Sequence, residues 1–164
     1  MNQIKQLAGQ TAVYGMGTII PRVLNFAVLT PFYTRNLEEG QYGAITELYA
    51  YVVILNVIIT FGMETGFFRF SQDKDKFRAV FTTATMVVVS LALLLVGGVF
   101  VFESNIADLI RYNDNPEFIR WFSWIIALDC IAAMPFAKLR RQNRARHFSI
   151  LKLLTVVVTI LLVL

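Results

Sequence analysis

Long runs of apolar residues, each holding few charged residues, dominate the chain. The clearest run extends over Ala79–Phe102, 24 consecutive residues without a charged side chain. A bilayer core requires about 20 such residues in a helix, so this run predicts a transmembrane helix. Four other runs have the same character, and together the predicted spans cover residues 6–34, 42–68, 79–102, 117–137 and 148–164. The pattern predicts an all-α polytopic transmembrane protein with about five spans in a single transmembrane domain.

Residues with strong positional preferences predict where two of these helices begin. Asn36, three residues before Glu39, forms a weak capping box and predicts the start of the second helix. Asn115 followed by Pro116 predicts the start of the fourth span, because Asn favours the N-cap and Pro the first turn. Between the third and fourth spans, three apolar residues share one helical face, which predicts a short interfacial helix. They are Ile106, Leu109 and Ile110.

The composition agrees with a membrane protein and excludes several kinds of chemistry. Hydrophobic residues make up 57% of the chain and charged residues 16%, whereas soluble domains average about 25% charged residues. The single Cys excludes an intrachain disulfide and a cysteine-based zinc site, and the single His excludes a pair of imidazoles. The sequence also lacks the H-E-x-x-H, G-x-S-x-G and P-loop motifs. It therefore predicts no enzyme, no cofactor and no metal site.

Basic residues divide unequally between the two sides of the predicted membrane. If the N-terminus and the connections at 69–78 and 138–148 share one side, that side carries ten basic residues and the other side three. The ten are Lys5, Arg69, Lys74, Lys76, Arg78, Lys138, Arg140, Arg141, Arg144 and Arg146, and the three are Arg35, Arg111 and Arg120. The positive-inside rule then predicts a cytoplasmic N-terminus. We interpret the basic run at 138–148 as a topology anchor that anionic membrane lipids also contact, and we expect no nucleic-acid partner.

Five polar residues of the first span fall on one helical stripe. They are Thr11, Tyr14, Thr18, Arg22 and Asn25. An arginine at the centre of a span costs about 2.5–3.5 kcal/mol on insertion scales, so Arg22 requires a compensating environment. Two interpretations are open. Either the stripe lines a water-filled cavity in which Arg22 meets an anion, or Arg22 pairs with a carboxylate of a neighbouring helix.

Polar residues of the later spans offer candidate partners and ion sites. Three of them recur at steps of four along the second span, which predicts a single face. They are Asn56, Thr60 and Glu64. Glu64 is either a buried partner of Arg22 or Arg69 or a residue at the cytoplasmic interface. Glu47, near the outer end of the same span, is expected to cap the helix or to snorkel. Asp129, midway along the fourth span, is a candidate site for a proton or a cation, with a structural pair to Arg22 as the alternative.

The last twelve residues, 153–164, are uncharged and have no cap, turn or basic anchor behind them. Natural spans usually finish with interfacial aromatic or charged residues. We therefore expect this chain to be the N-terminal portion of a longer protein.

Several segments of the chain resemble one family of transporters. They are AVYGMGTIIPRVLNF (12–26), PFYTRNLEEGQYG (31–43), ITELYAYVVILNV (45–57), GMETGFFRF (62–70) and KLRRQNRARHF (138–148). Their order, and their positions relative to the spans, resemble the N-terminal third of the polysaccharide biosynthesis and export family, the Wzx-type O-antigen flippases. That family belongs to the multidrug/oligosaccharidyl-lipid/polysaccharide exporter superfamily. The chain departs from the family in having Leu37, where a proline is usual, before the acidic pair Glu38 and Glu39.

The resemblance implies a larger transporter with two lobes that works by alternating access, of which these spans form part of the first lobe. It implies a polyprenyl-linked oligosaccharide as substrate, carried on undecaprenyl pyrophosphate across the bacterial inner (plasma) membrane. Membrane lipids and glycan polymerase or assembly proteins are the implied partners, and proton or sodium gradients the implied energy source. Two alternatives stay open, namely a cation-coupled multidrug exporter of the same superfamily and a noncatalytic membrane scaffold subunit.

The resemblance also implies roles for individual residues. An arginine of the first helix that faces the cavity is recurrent in the family, and Arg22 occupies the matching place. The implied contacts to the substrate pyrophosphate are Arg22, Arg35 and Arg69, since guanidinium groups suit phosphate. The expected cavity-lining residues are Tyr14, Thr18, Asn25, Asn56 and Thr60. The candidates for ion coupling are Asp129 and Glu64.

Overall fold

The computed structural model describes residues 2–73, 75–112 and 115–163, and describes residues 2–8 and 10 through their backbone alone. Lys74 and the predicted end of the last span at Leu164 lie outside the described residues, as does the side chain of Lys5. The elements are α1 (Asn2–Asn36), α2 (Glu39–Thr60), α3 (Met63–Phe70), α4 (Phe77–Ile110), α5 (Glu117–Arg141) and α6 (Ala145–Val163). Within these ranges there is no strand, and five helical segments are long and apolar enough to cross a membrane. The predicted fold class, an all-α polytopic membrane protein, is confirmed.

The two predicted helix starts have different outcomes. The helix α5 begins at Glu117, directly after the Asn–Pro pair, as predicted. The predicted cap at Asn36 is wrong, because α1 continues through Asn36, whose side-chain amide donates to the carbonyl oxygen of Phe32 at 2.8 Å. The start of α2 is capped instead by Gln41, whose Oε1 accepts the backbone N–H of Glu38 at 3.3 Å. This is one half of a capping box, shifted by two residues from its predicted position.

The predicted interfacial helix is continuous with α4 rather than separate. The backbone leaves helical geometry at Phe102 (φ −109°, ψ 20°), and the helix then resumes as far as Ile110. Packing explains why the segment does not break away, because Ala107 is buried and forms a small cluster with Val99 and Ile119. A kink therefore replaces the predicted interruption.

Two compact units divide the chain. Unit 1 comprises the described residues of Met1–Ile45 and Lys138–Leu164, and unit 2 those of Thr46–Ala137. The single transmembrane domain expected from the sequence stays a prediction. Unit 1 contains α1, the end of α5 and α6, and unit 2 contains α3, α4 and most of α2 and α5.

Close packing of α1 against α6 holds unit 1 together. Gly17 is buried at this contact, and a Cβ built on it would lie 2.7 Å from the Cβ of Ser149. Real Cβ atoms do not approach that closely, so the contact requires glycine. The hydroxyl of Ser149 donates to the carbonyl oxygen of Val13 at 3.0 Å, which adds a hydrogen bond between the two helices. Small residues and interhelical hydroxyl bonds are the usual means by which helices associate in a membrane.

The core of unit 2 forms where one face of α4 meets one face of α5. The buried face of α4 recurs at steps of four and consists of Ala84, Val88, Ala92 and Val96. Across from it, Cys130 and Met134 of α5 are fully buried. The short helix α3 contributes Phe67, whose ring packs at 5.7 Å from Phe77 and 5.8 Å from Phe81, measured between centroids. Apolar side chains of these helices therefore form one continuous core within unit 2.

The glycine contact predicts different outcomes for two neighbouring positions. Gly17→Ala should destabilise the protein by about 1–3 kcal/mol, because the added methyl overlaps Ser149. Gly15→Ala is the matched control, since a Cβ at Gly15 meets nothing within 4 Å. The measurement is the thermal unfolding midpoint in one detergent. Equal midpoints for the two variants would show that α1 and α6 do not approach each other at Gly17.

Candidate functional site

Three polar residues of α1 lie together on the surface of unit 1. Thr18, Arg22 and Asn25 are all exposed, and the hydroxyl of Thr18 donates to the carbonyl oxygen of Tyr14 at 2.9 Å. Within the described part of unit 1, no acidic side chain pairs with Arg22. The guanidinium therefore lies open on the surface of its own unit, in the middle of an apolar helix.

Tyr14 belongs to a different environment from these three residues. Its ring lies 5.4 Å from that of Phe148 in an edge-on arrangement, and its hydroxyl donates to the carbonyl oxygen of Arg140 at 3.5 Å. Each step of four residues turns a helix by about 40° past a full turn, so Arg22 points about 80° away from Tyr14. The predicted stripe is therefore wide enough that Tyr14 packs against unit 1 residues Arg140 and Phe148, while Thr18, Arg22 and Asn25 face outward.

The predicted face of the second span is interrupted. Phe61 (φ 44°) and Gly62 (φ 65°) both adopt left-handed backbone conformations, and they separate α2 from α3. Glu64 consequently lies in the first turn of α3 and does not continue the face of α2, so the prediction of a single face is wrong. The other two members stay together, because the hydroxyl of Thr60 donates to the carbonyl oxygen of Asn56 at 2.8 Å.

The three arginines expected at the substrate are distributed over both units. Arg35 is exposed in the last turn of α1, thirteen residues from Arg22. This spacing corresponds to about 20 Å along a helix, so a single pyrophosphate would reach only one of them at a time. Arg69 is exposed in the last turn of α3, with its guanidinium carbon 5.9 Å from the ring centroid of Phe70. Within either unit the structure does not bring all three together.

The candidate coupling residue Asp129 lies on the exposed face of α5, beside the fully buried Cys130. The thiol of Cys130 packs into the core of unit 2. Among the residues that the structure describes, no group of three or more His, Cys, Asp or Glu side chains could hold a metal ion. The carboxylate of Asp129 is thus on the surface of unit 2 and not in its core.

A cluster around Glu47 was missed by the sequence analysis. One carboxylate oxygen accepts the hydroxyl of Tyr51 at 3.2 Å, and the other accepts the hydroxyl of Tyr112 at 3.1 Å. Glu47 therefore connects α2 to Tyr112, the second residue after the end of α4. Burial raises the pKa of Tyr112 above its ordinary value near 10, and the hydrogen bond to Glu47 and its negative charge raise it further. No local pattern could have revealed this pair, because Glu47 and Tyr112 are 65 residues apart.

An apolar cavity of about 320 Å³ lies within unit 2, between α2, α4 and α5. Two of its lining residues carry hydroxyl groups, Tyr51 and Ser123. Both hydroxyls already donate hydrogen bonds, to Glu47 and to the carbonyl oxygen of Arg120 respectively. The cavity therefore offers no ready donor to a charged substrate, which leaves the exposed polar group on α1 as the stronger candidate for binding an anion.

Comparisons of the chain with protein-family models, with curated proteins and with solved structures find no match.

The Glu47 cluster predicts a tyrosine that ionises at unusually high pH. A difference titration of the protein against Tyr112→Phe, followed by tyrosinate absorbance, should give a midpoint above pH 10. In a Glu47→Gln background the midpoint should fall, because the carboxylate no longer opposes the negative phenolate. The folded state holds the hydroxyl proton of Tyr112 more tightly than the unfolded state does. The stability that this difference provides is therefore present below pH 10 and declines as the pH rises through the pKa of Tyr112 in the folded protein. A midpoint unaffected by Glu47→Gln would show that the two groups do not interact.

Proposed function

We propose that the protein is part of a flippase for lipid-linked oligosaccharides, which carries undecaprenyl-pyrophosphate-linked glycan across the bacterial inner membrane. The single observation that carries the proposal is Arg22. This arginine lies midway along a helix of 35 residues and is exposed on its unit, and in the described part of that unit no acidic side chain pairs with it. A permanent positive charge within a membrane helix is costly, and such residues commonly mark the path of a substrate or an ion.

The chemistry of the substrate suits this position. A pyrophosphate is an anion held within the membrane boundary by its lipid, and a guanidinium binds phosphate oxygens through two parallel hydrogen bonds. Thr18 and Asn25 are exposed beside Arg22 and add hydroxyl and amide groups that hydrogen-bond to sugars. The resemblance of the segments containing Arg22 and Arg69 to Wzx-type flippases agrees with this role.

The proposal assigns the other arginines to different stages of transport. Because Arg35 lies about 20 Å from Arg22 along α1, it would meet the pyrophosphate near the outer end of the helix rather than together with Arg22. Arg69 is among the ten basic residues of the side that we propose to be cytoplasmic, and it would meet the substrate on entry. The N-terminus is cytoplasmic in this arrangement.

Replacement of Arg22 tests the proposal. In cells that carry the change in the chromosomal gene, Arg22→Ala should reduce surface polysaccharide about ten- to a hundredfold, the effect of losing one charge-assisted contact. The abundance of the protein in the membrane should stay near normal. Arg22→Lys should retain part of the activity, because it keeps the charge but loses the paired donors.

Controls separate the proposal from its alternatives. Arg111→Ala removes an exposed arginine outside the spans and should leave surface polysaccharide unchanged. Normal polysaccharide in a folded Arg22→Ala protein would contradict the anion-binding role. Unchanged glycan with altered drug sensitivity would instead identify an exporter of small molecules, and loss of a partner complex without loss of the protein would identify a scaffold.

Asp129 gives a second, independent test. We expect Asp129→Asn to weaken the dependence of transport on a proton or sodium gradient, because the amide has a similar size but cannot ionise. The measurement is glycan translocation in membrane vesicles with and without each gradient. Asp108→Asn is the matched control, since Asp108 is also exposed but lies near the end of α4. A gradient dependence that survives Asp129→Asn would remove this residue from the coupling mechanism.

A further inference from the structure

Two cavities of unit 1 share Val13 as a lining residue. The first, of about 510 Å³, is bordered by polar and basic residues at the turn between α5 and α6. It is lined by Gly9, Val13, Asn143, Arg144, Ala145, Arg146 and His147. The second, of about 230 Å³, follows the contact between α1 and α6. It is lined by Val13, Met16, Gly17, Ile20, Pro21, Ser149, Ile150 and Leu153. Val13 lines both, so the two cavities adjoin the same residue of α1.

The first cavity lies in a strongly positive part of the chain. No acidic residue follows Asp129 in the sequence, whereas five basic residues lie between Lys138 and Arg146. Arg144 and Arg146 are both exposed, and within the described residues neither forms an ion pair. Two arginines that line one cavity can together hold a single phosphate through several charge-assisted hydrogen bonds.

The second cavity is apolar. Ser149 contributes the one side-chain hydroxyl of its lining, and that hydroxyl already donates to the carbonyl oxygen of Val13. Water needs two to four polar partners to occupy a cavity, and apolar cavities of about 150 Å³ are known to stay dry and to accept hydrocarbons. A cavity of this kind is therefore suited to a hydrocarbon chain.

The order of the two cavities along α1 matches the order of groups in a lipid. Gly9 and Val13 come first, and Met16 and Ile20 follow on the same helical face, at steps of three or four. The basic cavity thus lies nearer the start of α1 and the apolar cavity further along the helix. An anionic lipid in this orientation would have its phosphate beside Arg144 and Arg146 and an acyl chain between α1 and α6.

We infer that unit 1 binds an acidic glycerophospholipid, with the phosphate held by Arg144 and Arg146 and one acyl chain in the apolar cavity between α1 and α6. Charge complementarity selects an anionic lipid, and the adjoining apolar cavity selects a lipid over free phosphate. This site is separate from the substrate position proposed above, because Arg22 points about 160° away from Ile20 around α1. It therefore does not depend on the flippase proposal.

Direct measurement of lipid binding tests the inference. The purified protein is titrated in detergent with dioleoyl phosphatidylglycerol or dioleoyl phosphatidylcholine, and bound lipid is counted by native mass spectrometry. The unmodified protein should retain one phosphatidylglycerol in clear preference to phosphatidylcholine. In Arg144→Gln/Arg146→Gln the affinity for phosphatidylglycerol should fall about thirtyfold, the combined effect of two basic contacts at a membrane surface.

A matched variant controls for overall charge. Arg78→Gln/Arg111→Gln removes two other exposed arginines of the chain and should leave the binding of phosphatidylglycerol unchanged. An equal loss in both double variants would overturn the inference, because it would show attraction by net charge alone. If Arg144→Gln/Arg146→Gln does not fold, Arg144→Lys/Arg146→Lys replaces it, because this variant keeps both charges but loses the guanidinium groups. An affinity for phosphatidylglycerol equal to that of the unmodified protein would then contradict binding of the phosphate by two guanidinium groups.

The apolar half of the site has its own test. Ile20→Trp fills the second cavity, so it should weaken binding of dioleoyl phosphatidylglycerol while leaving dihexanoyl phosphatidylglycerol unaffected. Equal effects on both lipids would contradict an acyl chain between α1 and α6. Displacement of the lipid by millimolar inorganic phosphate would likewise overturn the inference, because it would identify a site for the free anion.

Discussion

Every backbone N–H and C=O that crosses hydrocarbon must find its partner inside the protein, and this requirement dominates the structure. It accounts for the helical conformation of all five candidate spans and for the behaviour of their hydroxyl groups. Threonines of four different helices donate to the carbonyl oxygen four residues earlier, and these are Thr18, Thr60, Thr85, Thr155 and Thr159. Local bonding of this kind removes the need for a polar partner on another helix.

Arginine cannot be satisfied in the same way, and this difference gives Arg22 its significance. A guanidinium carries five donors and a permanent charge, and a single backbone carbonyl of its own helix leaves most of these donors unused. The hydroxyl of Ser149 shows the other solution, since it bonds to a carbonyl of α1 across a contact that glycine makes close. In unit 1, the hydroxyl of Ser149 therefore stabilises the packing of the helices, whereas the exposed guanidinium of Arg22 does not contribute to that packing.

The sequence predicts the spans well because their signal is collective. Each depends on about 20 apolar residues, so no individual residue decides the outcome. Features that depend on one or two residues were harder to predict. Gly62 is a natural breaker, but Phe61 has no preference for the left-handed conformation that it adopts beside it, so the division of the second span had no clear signal. The pairing of Glu47 with Tyr112 depends on tertiary packing and leaves no local trace.

The candidate site was predictable in part for the same reasons. The exposed position of Arg22, Thr18 and Asn25 follows from helical spacing, whereas the packing of Tyr14 against α6 depends on a partner outside the helix. The basic run at 138–148 could be read as positive charge at a membrane edge. Only the fold shows that two of these basic residues line a cavity, and that Val13 of the same cavity also lines the apolar cavity between α1 and α6.

The break at Phe61 and Gly62 also sets the length of α2. The helix α2 has 22 residues, which at 1.5 Å per residue is about 33 Å, close to the full thickness of the hydrocarbon core. Around the break, the carbonyl oxygen of Val57 accepts the N–H of Phe61 at 3.2 Å, and the carbonyl oxygen of Gly62 accepts the N–H of Gly66 at 3.0 Å. The helix α2 alone is thus long enough to cross the hydrocarbon core, and α3, with Glu64 and Arg69, follows after the break.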